Sequence, residues 1–341
     1  MKALVYSPPD KIDVVERPEP VVKPYEALIK VKLGGICGSD MVAWQGGFKR
    51  ITEPVILCHE MTGELVEYYE GQEGKLPIGT RVVVEPIESC GECEACKTGH
   101  YNVCRKLKVI GLDRDGGFAS YVSVPVERIH AIPDSLSYER AVLIEPTAVA
   151  IHMAARTGMK FGDKIAIFGA GPIGLLTAII AKKAGASKII ITDINDYRIG
   201  LAKELGFDVI DGKSSDVKKM FMEQFGAEGS DISFELAANP STLDMAIDIT
   251  KIRGTILAGG LFKKLPTIDL QKITLKEQHL VGTRLYTYSD FDTAIDFLNR
   301  DEFPVEKLIT KQLSIVEAIE SGFHAIKNGE NVMKIIINPV E

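Results

Sequence analysis

The chain has 341 residues, more than a single hydrophobic core usually organises, so its length predicts two domains. Its net charge is 40 − 47 = −7, which disfavours a general nucleic-acid binder, because such proteins usually present a basic face. The first residues lack the apolar core of a signal peptide, and no run of about 18 apolar residues could span a membrane. We therefore expect a cytoplasmic protein with neither nucleic-acid nor membrane partners.

The first 150 residues contain short β-branched runs that are separated by Gly and Pro. Many short strands with turn signals between them predict a barrel-like β domain. The clearest runs are ALIKVKL (27–33), GELVEYY (63–69), RVVVEP (81–86) and FASYVSVP (118–125).

The pattern changes near residue 160, where apolar runs begin to alternate with helical patterns. Such alternation predicts α/β architecture with a doubly wound parallel sheet, the Rossmann arrangement. The last stretch, 287–341, again mixes a helix with an apolar strand. The expected strands of the Rossmann part are KIAIFGAG (164–171), KIIITD (188–193), DISFEL (231–236), GTILAGG (254–260) and HLVGTRLY (279–286).

Four cysteines are bunched within fifteen residues, with the spacing C-x2-C-x2-C-x7-C. In a reducing compartment such a bunch indicates a metal site rather than disulfides. Four thiolates close a tetrahedral Zn2+ shell, so the site is predicted to be structural. An iron–sulfur cluster is the rival, although the bacterial ferredoxin spacing ends in x3 and a proline. The four residues are Cys90, Cys93, Cys96 and Cys104.

A second metal site is predicted from residues that are farther apart. Cys37 lies in GGICGSD, and about twenty residues later His59 and Glu60 lie in LCHEMTGEL. A lone His is usually a satisfied core or surface residue, and spacing alone does not exclude this alternative. Glu145 is an acid in the apolar segment AVLIEPTAVAIH, so it needs a metal, an Arg or a proton as its partner.

A glycine-rich turn predicts a dinucleotide site. The run G-A-G-P-I-G follows a predicted strand and opens a helix, where glycines permit a tight turn and close approach to a pyrophosphate. Asp193 ends the next strand; an acid there accepts hydrogen bonds from ribose hydroxyls and repels a 2′-phosphate, which favours NAD over NADP. The alternative for Asp193 is a helix cap. The residues of the turn assigned to the cofactor are Gly169, Gly171, Ile173 and Gly174.

Together these motifs resemble the zinc-containing medium-chain alcohol and polyol dehydrogenases. The motifs are GGICGSD, HE, RVVVEP, the four-cysteine segment, GGFASYVSVP, IEPTAVAIH and GAGPIG, in the family's order over essentially the whole chain. The chain is most similar to the sorbitol, butanediol and threonine dehydrogenase branch and to relatives such as L-gulonate 5-dehydrogenase. The resemblance implies a GroES-like catalytic domain (1–150, with a zinc lobe at about 88–106), a Rossmann domain (151–286) and a C-terminal segment (287–341) that returns to the catalytic domain.

The resemblance implies roles for the residues of the catalytic metal site. Cys37 and His59 match the first two zinc ligands, and Glu60 matches a ligand of the sorbitol branch. Glu145 matches the acid that binds this zinc directly or through water. Asp40 matches the acid that orients the ligating His, and Ser39 matches the hydroxyl beside the zinc-bound oxygen.

Two positions depart from the family pattern around this site. Cys58 stands where many relatives have Gly before the ligand His, and we interpret it as a small buried residue. Val42 stands where relatives have a His that can end a proton relay; Val cannot carry a proton, so the resemblance implies no relay through this position beyond Ser39.

On the cofactor side, Arg198 matches an adenine-side Arg, although a plain helix-surface Arg is the alternative. Gly259, Gly260 and Thr283 match the backbone that lines the nicotinamide half. Arg284 and Tyr286 would reach the substrate pocket, but Leu285 separates them, whereas the sorbitol dehydrogenases have the Arg directly before the Tyr.

The expected reaction is hydride transfer to NAD from a secondary alcohol in a polyol, diol or sugar acid, with one catalytic and one structural zinc per chain. Family members are commonly dimers or tetramers, so we expect a homo-oligomer. Oxidation of threonine or of a sugar phosphate remains an alternative; a non-catalytic NAD-binding scaffold is disfavoured because the metal ligands are present. Cys37, Glu60 and Glu145 together carry a charge of −3 against the +2 of zinc. The resulting net charge of −1 predicts an alkaline pH optimum for alcohol oxidation.

Overall fold

The structure is a computed structural model that describes residues 1–8, 10–72, 74–300 and 303–340. Its chain divides into one unit formed by Met1–Glu145 with Phe291–Glu341 and a second unit formed by Pro146–Asp290. Among the described residues, no helix is long and apolar enough to cross a membrane.

The strands and helices follow in chain order. The strands are β1 (Lys2–Ser7), β2 (Lys11–Glu16), β3 (Glu26–Gly35), β4 (Val55–Ile56), β5 (Glu60–Tyr68), β6 (Arg81–Val84), β7 (Ile87–Glu88), β8 (Lys108–Val109), β9 (Tyr121–Pro125), β10 (Ile129–Ala131), β11 (Lys164–Phe168), β12 (Lys188–Asp193), β13 (Asp208–Asp211), β14 (Ser230–Glu235), β15 (Thr250–Ala258), β16 (His279–Gly282), β17 (Ile309–Ser314) and β18 (Lys334–Asn338). The helices are α1 (Gly38–Trp44), α2 (Glu94–Lys97), α3 (Tyr138–Ala141), α4 (Ile144–Thr157), α5 (Pro172–Lys183), α6 (Asp196–Glu204), α7 (Val217–Phe225), α8 (Pro240–Ile249), α9 (Leu270–Leu275), α10 (Tyr288–Arg300) and α11 (Ala325–Lys327).

The first unit is built around a mainly antiparallel sheet with the order β10-β6-β5-β3-β18-β17, and β9 also pairs with β3. The apolar run of β3 is almost wholly buried, which a central strand covered on both faces requires. Strand β18 comes from the end of the chain and pairs antiparallel with β3, with Ile336 opposite Gly35 and Ile337 opposite Gly34. The chain's last strand therefore lies beside the strand that leads to Cys37.

The second unit carries a parallel sheet with the order β13-β12-β11-β14-β15-β16. In terms of the six strands, this is the 3-2-1-4-5-6 order of dinucleotide-binding folds, and it confirms the predicted doubly wound sheet. Phe168 of β11 packs within a buried cluster with Phe221 and Phe225 of α7 and Leu243 of α8. This cluster packs α7 and α8 against the parallel sheet.

The strand expected over 279–286 is shorter than the sequence indicated. β16 ends at Gly282, and Leu285 has a φ of 49°, in the left-handed region that an extended strand does not enter. The apolar pattern of HLVGTRLY reflects a buried loop residue, Tyr286, rather than a continued strand.

Candidate active site

Cys37, His59 and Glu60 lie together at one end of the paired strands β3 and β5. Gly35 pairs with Glu60 in the antiparallel ladder, so the residues just after β3 and at the start of β5 are neighbours. One ligand atom from each of the three side chains lies within 4.8 Å of the other two. A thiol, an imidazole and a carboxylate form a donor set that binds Zn2+. The residues present therefore fit the catalytic metal that the family resemblance implies.

The backbone before His59 adopts an unusual conformation that close packing maintains. Cys58 has a φ of 88°, a region that suits glycine and strains other residues. A Cβ on either Gly111 or Gly116 would lie 2.1 Å from the Cys58 carbonyl oxygen, so only glycine fits at both positions. The Cys58 thiol is fully buried, and burial raises its pKa well above the usual value. Cys58 is thus the small buried residue that the sequence suggested, in a glycine-like conformation.

The Asp40 carboxylate contacts both Cys37 and His59. Its Oδ2 accepts a hydrogen bond of 2.8 Å from the Cys37 amide, and its Oδ1 lies 3.4 Å from His59 Nδ1. The other ring nitrogen, Nε2, is 3.0 Å from the Ser39 hydroxyl. Burial lowers the pKa of His59, but the charges of Asp40 and Cys37 outweigh burial and raise it well above its usual value. The negative charges that retain a proton on His59 would equally attract a divalent cation.

The sequence analysis missed Lys334, which contacts the same group. Its Nζ donates to the two carboxylate oxygens of Glu60, at 2.8 and 2.6 Å, and to the Ile36 carbonyl at 3.1 Å. Burial lowers the pKa of this lysine, but Glu60, Cys37 and Glu145 outweigh burial and raise it. A single Lys in the apolar run VMKIIIN was the available signal, the same kind of signal that singled out Glu145.

Glu145 lies in the first turn of α4 and is 4% exposed. Its charge acts on Lys334, which places it in the electrostatic surroundings of the site. Among the described residues, the group of ligand atoms within 4.8 Å contains Cys37, His59 and Glu60 but not Glu145. Direct binding of a metal by Glu145 therefore stays a prediction.

The four bunched cysteines form a second cluster, and none of them is in a disulfide. Neighbouring sulfurs are 3.5 Å apart for Cys93–Cys96 and for Cys90–Cys104, and 3.9 Å apart for Cys90–Cys96 and for Cys93–Cys104. Four sulfurs bound tetrahedrally at about 2.3 Å from one Zn2+ would be about 3.8 Å apart. Hydrogen bonds from the Arg105 and Cys96 amides lower the pKa of Cys93 to about 6, whereas burial and hydrogen bonds with Cys93 and Cys104 raise the pKa of Cys96 to about 11. The cluster fits one closed, structural zinc ion.

The glycine-rich turn follows β11 in the second unit. Gly169 has a φ of 106°, and a Cβ on Gly174 would lie 1.9 Å from the Gly169 carbonyl oxygen, so both positions require glycine. Gly171 is the N-cap of α5, and Ile173 lies in its first turn. The amides at this helix N-terminus have no intrahelical acceptors, which suits them to a phosphate.

Asp193 ends β12 and is tied to the same turn. Its carboxylate accepts hydrogen bonds from the Ala170 amide at 2.7 Å and the Asn195 amide at 2.9 Å. The helix that follows, α6, is capped by Asn195 and not by Asp193, whose carboxylate lies 3.9 Å from Arg198. The helix-cap alternative for Asp193 is therefore wrong.

Glu235, at the end of β14, accepts hydrogen bonds from two of the other proposed cofactor residues, Gly259 and Gly260. Its carbonyl oxygen accepts from the amides of Gly259 (2.9 Å) and Gly260 (3.1 Å), and its carboxylate accepts from the Thr242 hydroxyl at 2.7 Å. Burial raises the pKa of Glu235 despite these and neighbouring hydrogen bonds. Thr283 follows the end of β16. The sequence analysis did not single out Glu235, although it is an acid that directly follows the apolar residues of β14.

Two family models match the chain. The alcohol dehydrogenase GroES-like domain matches residues 23–134, and the zinc-binding dehydrogenase domain matches residues 172–300. A sorbitol dehydrogenase from Halalkalibacterium halodurans is 36% identical, with 96% of each chain covered.

Solved structures show the same relationship. The 2R,3R-butanediol dehydrogenase of Bacillus subtilis is 36% identical, with 99% of each chain covered and a TM-score of 0.92. A zinc-binding dehydrogenase from Sinorhizobium meliloti, bound to NADP, is 30% identical, with 99% of each chain covered and a TM-score of 0.92.

Proposed function

Because this chain belongs to the zinc-binding alcohol dehydrogenase family, we propose that it oxidises a secondary alcohol of a polyol, diol or sugar acid and passes the hydride to NAD. The observation that carries this proposal is the convergence of Cys37, His59 and Glu60 on one point. Catalysis is assigned to the unit of Met1–Glu145 with Phe291–Glu341, and cofactor binding to Pro146–Asp290.

A zinc ion held by Cys37, His59 and Glu60 would supply a Lewis acid that polarises the substrate oxygen. Asp40 Oδ1, 3.4 Å from Nδ1, would orient the His59 ring so that Nε2 is the nitrogen available to the metal. The Ser39 hydroxyl, 3.0 Å from Nε2, is the group placed to accept the proton that the substrate hydroxyl releases. Val42 cannot carry that proton further, so the route beyond Ser39 must use another group.

NAD is favoured over NADP by the acid at Asp193, because a carboxylate at the end of this strand repels a 2′-phosphate. The amides at the start of α5 would bind the pyrophosphate, and the Gly259–Gly260 backbone would approach the nicotinamide half. The NADP-bound relative makes NADP the rival cofactor. Two zinc ions per chain are proposed, one catalytic and one held by the four cysteines.

The polyol and diol class is supported by the names of the relatives at 36% identity, a sorbitol and a butanediol dehydrogenase. The decisive experiment measures initial rates of NAD and NADP reduction over polyols, diols, sugar acids, threonine and sugar phosphates. We expect the highest kcat/KM for a polyol, diol or sugar acid with NAD. A preference for threonine or a sugar phosphate would contradict the substrate class, and no reduction with any of them would contradict the activity.

A homo-oligomer is proposed from the free edge of the second unit's sheet. β16 has one neighbouring strand, β15, and ends the sheet order among the described strands. Near this edge Leu275 is 76% and Leu280 is 40% exposed. An unpaired strand edge with apolar neighbours is usually covered in a functional protein. Light scattering during size-exclusion chromatography should show a dimer or tetramer, and a monomer at micromolar concentration would contradict the proposal.

A further inference from the structure

We propose that Glu235 is a positioning residue for the cofactor, whose side chain holds the loop of residues 236–239 in the conformation that two dinucleotide-binding segments require. These segments are the glycine-rich turn after β11 and the Gly259–Gly260 backbone after β15. The inference rests on the proposed function, because it presupposes a dinucleotide cofactor. It concerns a side chain that neither the sequence motifs nor the family resemblance identified.

The 236–239 loop is attached to the glycine-rich turn. The Leu236 amide donates a hydrogen bond of 2.9 Å to the carbonyl oxygen of Phe168, the last residue of β11. Gly169 comes next, and a Cβ there would lie 3.1 Å from the Ala237 nitrogen, which is tighter than an ordinary van der Waals contact. The loop and the turn therefore pack backbone against backbone, and a displaced loop would displace the turn.

The same loop packs against the segment after β15. A Cβ on Gly260 would lie 2.7 Å from the Ala238 nitrogen, and a Cβ on Gly259 would lie 2.7 Å from Leu236 Cδ2. The amides of both glycines donate to the Glu235 carbonyl oxygen, directly before the loop. The 236–239 loop thus contacts both segments that are assigned to the cofactor.

Hydrogen bonds from this loop converge on the Glu235 side chain, which is fully buried. Its Oε1 accepts from the Ala237 amide at 3.1 Å, from the Asn239 amide at 3.4 Å and from the Thr242 hydroxyl at 2.7 Å. Thr242 lies in the first turn of α8. A buried donor without an acceptor is unfavourable, so this one oxygen determines where the loop backbone lies.

Ala238, in the middle of the loop, has a backbone conformation that needs such support. Its φ is 54°, in the left-handed region that residues with a side chain rarely adopt. Conformations of this kind persist where the surroundings over-determine them, often at binding sites. The amides of Ala237 and Asn239, on either side of Ala238, are the ones that donate to Glu235.

The role requires the length of the Glu235 side chain rather than its charge. Burial disfavours the charged form and raises the pKa of Glu235, and among the described residues its Oε2 has no hydrogen-bond partner. A neutral side chain of equal length offers the same acceptor oxygen to the loop. A shorter carboxylate keeps the charge but does not reach the same donors.

The test compares Glu235→Gln, which keeps the length and one acceptor oxygen, with Glu235→Asp, which is shorter by one methylene group. The measured quantity is the Kd of NADH from fluorescence titration of the zinc-loaded protein, with NADPH titrated in parallel. We expect Glu235→Asp to raise the Kd about tenfold, the scale of one lost hydrogen bond to a carboxylate. Glu235→Gln should stay within about twofold of the wild type.

Ser233→Ala separates positioning from a simple loss of stability. Ser233 is fully buried two residues earlier in β14, and its hydroxyl lies 3.0 Å from that of Ser230 and 2.7 Å from that of Thr250. Loss of these hydrogen bonds should lower the melting temperature and leave the Kd of NADH unchanged. A matching rise of the Kd in Ser233→Ala would contradict the proposal.

Hydrogen exchange of the cofactor-free protein gives a readout that does not depend on NADH. The Ala237 and Asn239 amides should exchange about tenfold faster in Glu235→Asp and at the wild-type rate in Glu235→Gln. If Glu235→Asp does not fold, Gly260→Ala replaces it, because its Cβ would press on the Ala238 nitrogen. That change should also raise the Kd and speed exchange of the same two amides, and unchanged exchange would contradict the proposal.

An unchanged Kd in Glu235→Asp would overturn the role of Glu235. A rise in Glu235→Gln as large as that in Glu235→Asp would overturn it too, because charge and not length would then be the property that matters. Both outcomes leave the proposed function intact, since the wild type still binds NADH. A wild type that binds neither NADH nor NADPH would instead overturn the proposed function itself.

Discussion

Lys334 and Glu60 form a buried ion pair beside Cys37, with the lysine Nζ 2.6 and 2.8 Å from the two carboxylate oxygens. The sequence suggested −3 from Cys37, Glu60 and Glu145 against +2 from zinc, a net −1. The structure adds two further buried charges, +1 from Lys334 and −1 from Asp40, so the net charge stays at −1 and an alkaline pH optimum for alcohol oxidation is still expected.

Glu145→Gln tests this charge balance, because it removes one charge and keeps the side-chain shape. We expect the pH at which alcohol oxidation is half-maximal to fall by about one unit, since a more positive site makes loss of the substrate's hydroxyl proton easier. The measurement is the pH profile of kcat/KM, together with zinc analysis.

Glu320→Gln is the matched control for Glu145→Gln, because Glu320 belongs to the same unit but its side chain is 84% exposed. Its pH profile should not move. An unchanged profile in Glu145→Gln, with both zinc ions retained, would show that Glu145 is a structural acid.

The fold was predictable because its signals are local. Alternating apolar runs and the glycines after β11 identify the doubly wound sheet, and β12 has the bounds that the sequence indicated. The length of β16 was overestimated because Tyr286 is buried without belonging to a strand. Hydropathy does not distinguish a buried loop residue from a buried strand residue.

The site was predictable where ligands are close in sequence and unusual in type, as the four cysteines are. Lys334 was missed because its partner lies 274 residues away and because lysine is almost always a surface residue. Strand pairing between the two ends of the chain brings it to Glu60. The hydrogen bonds that tie Asp193 to the glycine-rich turn were equally invisible, because they are made by backbone amides.

Cys96→Ser tests the structural zinc. Loss of one of four thiolates should reduce zinc from two to about one per chain and lower the melting temperature by at least about 5 °C, because structural zinc contributes directly to folding. Elemental analysis and thermal unfolding measure both effects, with Lys97→Ala in the same short helix as the control. Iron with a visible charge-transfer band in the wild type would defeat the zinc assignment.

Cys58 offers a test of backbone strain next to His59. Cys58→Ala keeps the Cβ at a φ of 88°, whereas Cys58→Gly removes it. The left-handed region costs an ordinary residue about 1–2 kcal/mol. We therefore expect Cys58→Gly to melt about 2–4 °C above Cys58→Ala, although glycine normally destabilises relative to alanine.

Ala27→Gly provides the contrast for Cys58, since Ala27 is fully buried in β3 and is not among the residues with positive φ. That change should lower the melting temperature. If Cys58→Gly melts below Cys58→Ala, the left-handed conformation does not limit stability at this position.

Glu235→Gln tests the buried carboxyl at the end of β14. Burial raises the pKa of Glu235 above its ordinary 4.5, so the folded protein retains a proton that the unfolded chain releases. This contribution to stability is full below the unfolded pKa and is lost as pH rises through the folded pKa. The melting temperature of Glu235→Gln should therefore rise relative to wild type above pH 4.5 and then level off. A constant difference across this range would contradict the raised pKa.

Asp193→Ser tests the cofactor preference, and the structure gives it two effects. The substitution removes a carboxylate that should repel a 2′-phosphate, and it also removes the hydrogen bonds from the Ala170 and Asn195 amides. Loss of the hydrogen bonds alone should lower kcat/KM for NAD and for NADP alike. Loss of the repulsion should raise kcat/KM for NADP. We expect kcat/KM to fall for NAD and to rise for NADP, while Asp196→Ser, at a neighbouring side chain that is 81% exposed, changes neither. A fall for both cofactors, or a wild-type preference for NADP, would show that Asp193 only holds the turn in place.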